Sequence, residues 1–176
     1  MFLEAGEIRL DEFRQVDAHK LFIALDDKEV WEHIPRSIPT SPQDLSSALL
    51  TLVATGNRRT FVIRKSNEVV GMTSVIKVLD DTEALEIGAT QLSKVVWGTG
   101  LNLIVKQLLI GAIFIAGTST VKFRTDERNE RSAAALRKLG AKELGTFQDS
   151  LVRRDGSSRK SIHFSTDAAI WRHAEG

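Results

Sequence analysis

The run Trp97-Gly98-Thr99-Gly100 carries the first chemistry this sequence offers. A strand-like stretch from Leu85 to Leu92 leads into it through a short turn, and an apolar helical stretch starts at Leu101. The first turn of a helix holds backbone N–H groups without intrahelical partners, and the helix dipole favours negative charge there. Glycines let the main chain approach an anion closely. Strand, glycine-rich turn and helix start therefore suit a phosphate, and a diphosphate-bearing ligand is the leading expectation. The competing reading is an ordinary turn capped by glycines, because short glycine motifs recur by chance.

Three phosphate-binding loops can be compared. A P-loop requires Lys and Ser/Thr after its last Gly, and Gly100 is followed by Leu101-Asn102. A dinucleotide fingerprint requires a third Gly or Ala where Leu103 stands, and an acid about 20 residues on at the end of a second strand. The third type is the pyrophosphate loop of coenzyme A.

The segment Val95-Val96-Trp97-Gly98-Thr99-Gly100 resembles the acetyl-CoA motif of the GNAT N-acetyltransferases, R/Q-x-x-G-x-G/A. Both glycine positions fit, while Val95 replaces the leading Arg/Gln. The W-G-x-G form is similar to that of the RimJ/RimL branch, the ribosomal-protein N-acetyltransferases. A second block, RTDERNERSAAALRKLGA at 124–141, resembles that branch's T-D-x-x-N-x-x-S, helix and L-G-A/F. Gly145-Thr146-Phe147, and Asp155-Gly156 followed by Arg159, match in order and spacing. The likeness covers most of residues 60–170.

Composition sets the wider bounds. A chain of 176 residues suggests one domain spanning 1–176, with enough length for a substantial core. Lys+Arg 24 against Asp+Glu 23 gives no global field toward nucleic acid or membrane, and neither is expected as a partner. With no Cys, a disulfide, a thiol nucleophile and a Cys-based zinc site are excluded. His19, His33, His163 and His173 lack metal-ligand spacing, so no metal is expected. The N-terminal run lacks the apolar core of a signal peptide. The most apolar run, Leu108 to Gly117, falls short of the roughly 20 residues that span a bilayer, and a cytoplasmic protein is expected.

The elements that must position the loop follow from patterning. Residues 7–11 alternate as a short strand. Asp17 is expected to cap a helix running toward Trp31, which Ile34-Pro35 and Ile38-Pro39 break. Ser41-Pro42 reads as an N-cap with Pro at the first helical position, opening a helix to Thr55 that Gly56-Asn57 ends. Thr60–Ile63 and Val69–Ile76 read as paired strands. The next strand, Glu83 to Leu92, is expected to set Leu85, Ile87 and Ala89 on one face, and Glu86, Gly88 and Thr90 on the other. A helix over about 100–116, a strand at Val121–Thr125 and a helix at 130–139 follow. A hairpin of 143–153 with 160–165 closes the chain, with Arg153-Arg154 and Arg159-Lys160 read as a solvated cluster at its tip.

This order matches the GNAT fold, an α+β (mixed α/β) architecture. The resemblance implies a central mixed sheet of six to seven strands, about four flanking helices, and strands four and five splayed apart. It also implies acetyl-CoA as cosubstrate. The pantetheine arm would pair with strand-four backbone at Gln91, Leu92 and Ser93. The pyrophosphate would meet the amides of Val96, Trp97, Gly98, Thr99, Gly100 and Leu101. Asn129 would reach the pantetheine. By their i, i+4 spacing Asn102 and Lys106 share one face near the phosphate end of the helix, where they could touch the phosphates; an ordinary solvated face is the equal alternative. Trp31, Ile34 and Pro35 would shape the acceptor pocket, although a core aromatic is an equal reading for Trp31.

Acetyl transfer to an amine needs a base for the amine, a donor to the carbonyl oxygen and a proton for the leaving thiolate. By family position Glu86 is the candidate base; a salt-bridged acid is the alternative. The usual acid is a Tyr, and this chain has none. Counting from Asn129, its position falls on Leu136, and Ser132 is the candidate substitute; a capping Ser is the alternative. The expected activity is acetyl transfer from acetyl-CoA to a primary amine, on a protein N-terminus or a small molecule, by a monomer or homodimer. The alternative is a CoA-binding sensor or scaffold without turnover, a view fed by Val95 and by the divergent stretch Leu144–Asp149.

Overall fold

The computed structural model describes residues 2–174. Eight strands form one mixed sheet: β1 Phe2–Ala5, β2 Ile8–Glu12, β3 Arg58–Lys65, β4 Glu68–Lys77, β5 Ala84–Leu92, β6 Thr120–Asp126, β7 Lys142–Val152 and β8 Ser158–Asp167. Their order across the sheet is β1-β2-β3-β4-β5-β6-β8-β7. Five helices accompany them: α1 Ala18–Ala24, α2 Pro42–Ala54, α3 Leu101–Ile115, α4 Glu130–Lys138 and α5 Ala168–Ala174. The sequence-based expectation lacked β1 and α5. β1 is largely exposed and so carries no burial alternation, and its turn at Gly6 is not one of the strong hairpin dipeptides.

The chain divides into two compact units. The first holds residues 2–32, 38–76 and 87–109, and the second holds 33–37, 77–86 and 110–174.

In the first unit β1 to β4 form an antiparallel meander. Leu10, Val62 and Ile63 are completely buried within it. Arg64 bridges Asp11 at 3.1 Å and Asp17 at 2.6 Å, tying β3 to the turn that precedes α1. Asp17 is therefore spent on Arg64 and on the Arg14 amide, and it does not cap α1 as expected. Nor does α1 reach Trp31: it ends at Ala24, and Trp31 lies in a separate 3-10 turn, Lys28–Trp31. α2 opens as expected, with the Ser41 hydroxyl accepting from the Asp44 amide at 3.1 Å and Pro42 at the first turn. Such a cap is worth about 1 kcal/mol. A Cβ on Gly71 in β4 would lie 2.3 Å from the Gln91 carbonyl, so only glycine lets β4 lie this close to β5.

In the second unit β6 pairs antiparallel with β8, and β8 with β7. Phe123 and Phe164 stand directly opposite each other, both fully buried, and anchor a core with Val121, Leu136 and Ile110. Phe114 and Trp171 meet edge to face at 6.5 Å. The other face of these strands is ionic. Arg153 forks onto Asp126 with both contacts at 2.8 Å, and Arg159 lies between Asp126 (4.0 Å) and Asp149 (3.7 Å). Two of the arginines expected in a solvated tip cluster, Arg153 and Arg159, are thus largely covered partners of buried carboxylates. Of that cluster, Arg154 and Lys160 are exposed, and Arg154 donates to the Ile34 carbonyl at 2.8 Å.

β5 departs from simple alternation. Ala89 has φ +50°, a left-handed conformation of the kind found at bulges, and beyond it the adjacent residues Gln91 and Leu92 are both buried. The expected common face of Leu85, Ile87 and Ala89 is broken there. The parallel ladder of β5 with β6 holds only Ala84–Glu86 against Thr120–Lys122, the short pairing expected of splayed strands.

Candidate active site

The glycine loop lies in the first unit. β5 ends at Leu92, the Ser93 amide donates to the Val70 carbonyl at 2.8 Å, and a 3-10 turn, Lys94–Val96, follows. The Val96 and Trp97 amides close that turn onto Ser93 and Lys94, each at 3.1 Å. Three of the amides expected to face a ligand, those of Ser93, Val96 and Trp97, are therefore engaged within the protein. Those of Gly98 and Gly100 have no partner among the described residues, and those of Thr99 and Leu101 make only long contacts of 3.5 Å. The open donors are thus the two glycines and the start of α3.

Gly98 (φ +75°) and Gly100 (φ +84°) are both left-handed, and a Cβ on either would meet nothing within 4 Å. Backbone conformation demands glycine here, and the space above the loop is free for an incoming group. The Trp97 indole braces the loop, its Nε1 donating to the Leu92 carbonyl at 2.8 Å. Lys94 lies over that indole, 5.8 Å from the ring centre, and binds Glu29 at 2.7 Å and Asp27 at 3.4 Å. Val95, where the motif has Arg or Gln, is 81% exposed and brings no charge. Asn102 accepts from Lys106 Nζ at 2.8 Å. Gln91 is buried, and its Nε2 has no partner among the described residues. Trp31 is buried as well, its Nε1 committed to the Leu25 carbonyl at 2.8 Å, which supports the core reading.

The remaining candidates lie in the second unit. The Glu86 carboxylate accepts from Arg124 Nε at 2.8 Å, and Arg124 extends toward Asp149 at 3.9 Å. Burial opposes the charge of Asp149, yet the Ser161 hydroxyl, the Leu151 amide and the charges of Arg124 and Arg159 outweigh it and hold the carboxyl below its ordinary range. Asp149 in the divergent stretch is therefore a structural acid. Asn129 is the N-cap of α4, its side-chain oxygen accepting from the Ser132 amide at 3.1 Å. Ser132 is not the cap, and its hydroxyl has no partner among the described residues. Leu136 is buried. Ile34 and Pro35 also belong to this unit, in the short segment Arg154 holds.

Sequence reasoning offered a salt bridge for Glu86 as the alternative but missed its partner; the short ladder of β5 with β6 sets Lys122 opposite Glu86, and Arg124 reaches it from two residues further along β6. Among the described residues no cluster of His, Asp and Glu would hold a metal ion, and no helix is long and apolar enough to cross a membrane.

Comparison with known proteins accounts for this arrangement. The acetyltransferase (GNAT) domain family matches residues 7–142, and the chain belongs to that family, whose common chemistry is acetyl transfer. A protein from T. thermophilus assigned as an acetyltransferase is 29% identical, with a TM-score of 0.86 over 98% of this chain and 92% of that one. Mycobacterium smegmatis RimJ, solved with CoA-disulfide, shares the fold at 19% identity and a TM-score of 0.82, over 97% of this chain and 88% of that one. So does the Salmonella typhimurium enzyme that modifies the N-terminal serine of ribosomal protein L7/L12, at 16% identity and a TM-score of 0.82, over 95% and 99% of the two chains. No curated protein matches the sequence.

Proposed function

We propose that this protein, residues 1–176 acting as one cytoplasmic domain, transfers the acetyl group of acetyl-CoA to a primary amine by direct attack in a ternary complex. The observation that carries this reading is the pair of left-handed glycines opening α3 with their amides unpartnered and open space above them. The open amides of Gly98 and Gly100, with those of Thr99 and Leu101 held only by contacts of 3.5 Å, suit the charge of a diphosphate. RimJ, of the same fold, holds a CoA compound.

Acetyl-CoA supplies the activated acetyl group. The chain binds and orients it through the loop and Asn129, and manages two protons. Glu86 takes one from the attacking amine through a water. As the C–N bond forms and the C–S bond breaks, the Ser132 hydroxyl gives a proton to the departing sulfur and is reprotonated from solvent, to which Glu86 releases the proton it took. The acceptor is a protein N-terminus or a small amine; the L7/L12 enzyme of the same fold supports the first.

The pairing of Glu86 with Arg124 favours a second reading, a CoA-binding sensor without turnover, because one oxygen of the candidate base already accepts from a guanidinium. Incubation with acetyl-CoA and a panel of amines and N-terminal peptides, read by thiol release, separates the two. Release with any acceptor supports the transferase; tight CoA binding with no release across the panel supports the sensor.

A further inference from the structure

Lys106 is the least ordinary charge in the first unit. Its side chain is buried, and its ammonium donates to Asn102 Oδ1 and to no other described group. Among the described residues no carboxylate lies within ion-pair reach of it. An ammonium taken out of water with one hydrogen bond and no counter-charge is a costly arrangement. Burial alone pushes its pKa from 10.5 down to about 8; no acid or base on any described element contributes.

The position of this charge gives it a use. Helical side chains lean toward the N-terminus of their helix, and Asn102 is the second residue of α3. The bond to Asn102 therefore holds the ammonium at the level of the first turn of α3, the end of the helix that the glycine loop opens. The motif's usual cation is absent at Val95, and Lys94 is neutralised by Glu29 and Asp27.

We propose that Lys106 is the buried counter-charge for the anionic group received by the Gly98–Gly100 loop, so that the cofactor's diphosphate binds together with a proton on Lys106. This rests on the loop being a diphosphate site, as proposed above. A nearby anion favours the charged amine, so the bound protein holds the proton to higher pH than the free protein does. Lys94 cannot supply this effect: its bond to Glu29, helped by Asp27, keeps its pKa above the ordinary value. The ligand does not supply it either, because phosphate titrates near about pH 6 and acetyl-CoA has no free thiol.

The test is calorimetric titration of the full chain with acetyl-CoA at several pH values, in two buffers of different ionisation enthalpy. S-acetylpantetheine, which lacks the diphosphate, is the control. The wild type is expected to take up protons on binding acetyl-CoA near pH 8.5 and to weaken roughly tenfold as pH rises from about 7.5 to 9.5. Lys106→Met should bind about tenfold more weakly at pH 7.5, with a flat pH profile and no uptake. The control should show no uptake with either protein. Equal uptake in both proteins, or a wild type without uptake, overturns the proposal. If Lys106→Met does not fold, the wild-type uptake decides alone. A wild type that binds no acetyl-CoA at any pH removes both this inference and the reading beneath it, whereas binding without uptake removes only the inference.

Discussion

Glu86 on β5 accepts from Arg124 on β6 at 2.8 Å, although the strand register sets Lys122, two residues before Arg124, opposite Glu86. The candidate base is thus a member of a charge pair that continues to Asp149, and its two possible roles separate in kinetics. As a base, Glu86→Gln lowers turnover by about 10²-fold or more at neutral pH, with acetyl-CoA affinity unchanged and a smaller loss at high pH, where the amine is already neutral. A turnover unchanged at neutral pH makes it a structural acid.

Asn129 and Ser132 divide the roles of cap and proton donor, and their variants are expected to part company. Asn129→Ala removes the bond to the Ser132 amide and lowers stability by about 1 kcal/mol. Ser132→Ala leaves the cap in place, so the melting temperature should hold while turnover falls about tenfold or more with acetyl-CoA binding intact. Turnover falling only in step with stability in Ser132→Ala identifies water as the proton source.

Binding at the loop should register in thermal melts. Acetyl-CoA raises the melting temperature of the wild type, because a ligand held only by the native state stabilises it. Gly98→Val and Gly100→Asp are expected to lose that shift, and each also places a side chain in the left-handed region at a cost of about 1–2 kcal/mol. NAD and ATP should shift the wild type far less; an equal shift with ATP argues against a coenzyme A site.

Acid should unfold the second unit through its buried acids. Burial opposes ionisation of Asp126, yet Arg153, the Arg128 amide and the charges of Arg153 and Arg159 hold its carboxyl below the ordinary value of 3.8. A native pKa below the unfolded one contributes stability that is complete above the unfolded value and lost as pH falls through the native value. Wild-type stability should therefore drop steeply below about pH 4. Asp126→Asn should destabilise the protein at pH 7, by leaving Arg153 with Glu127 alone as its carboxylate partner, and should flatten the acid limb. Denaturant melts of both proteins between pH 3 and 7 measure this.

Much of the architecture was legible because its signals are local. Ser41-Pro42 announces α2, the glycines at 98 and 100 announce the turn before α3, and short apolar, β-branched runs mark β3 and β4 within two residues. What escaped depends on partners distant in sequence. Arg153 and Arg159 look solvated until Asp126, some 27 residues before Arg153, is set against them. Asp17 looks like a cap until Arg64, 47 residues on, claims it. The positive φ at Ala89 has no mark in the residue itself, since alanine prefers other conformations, and it misleads a reading based on a period of two. At the candidate site the residue types were readable, but not which amides the 3-10 turn consumes.

The bracing of the loop by Trp97 has an optical consequence. With no tyrosine, the near-ultraviolet emission of this protein comes from three indoles. Two of them, Trp31 and Trp171, are shielded in the two cores, while Trp97 hangs its ring from the end of β5 beneath the glycine loop. A chain with Trp31→Phe and Trp171→Phe would fluoresce from the loop alone, so that occupancy could be followed in a stopped-flow mixer without any added dye.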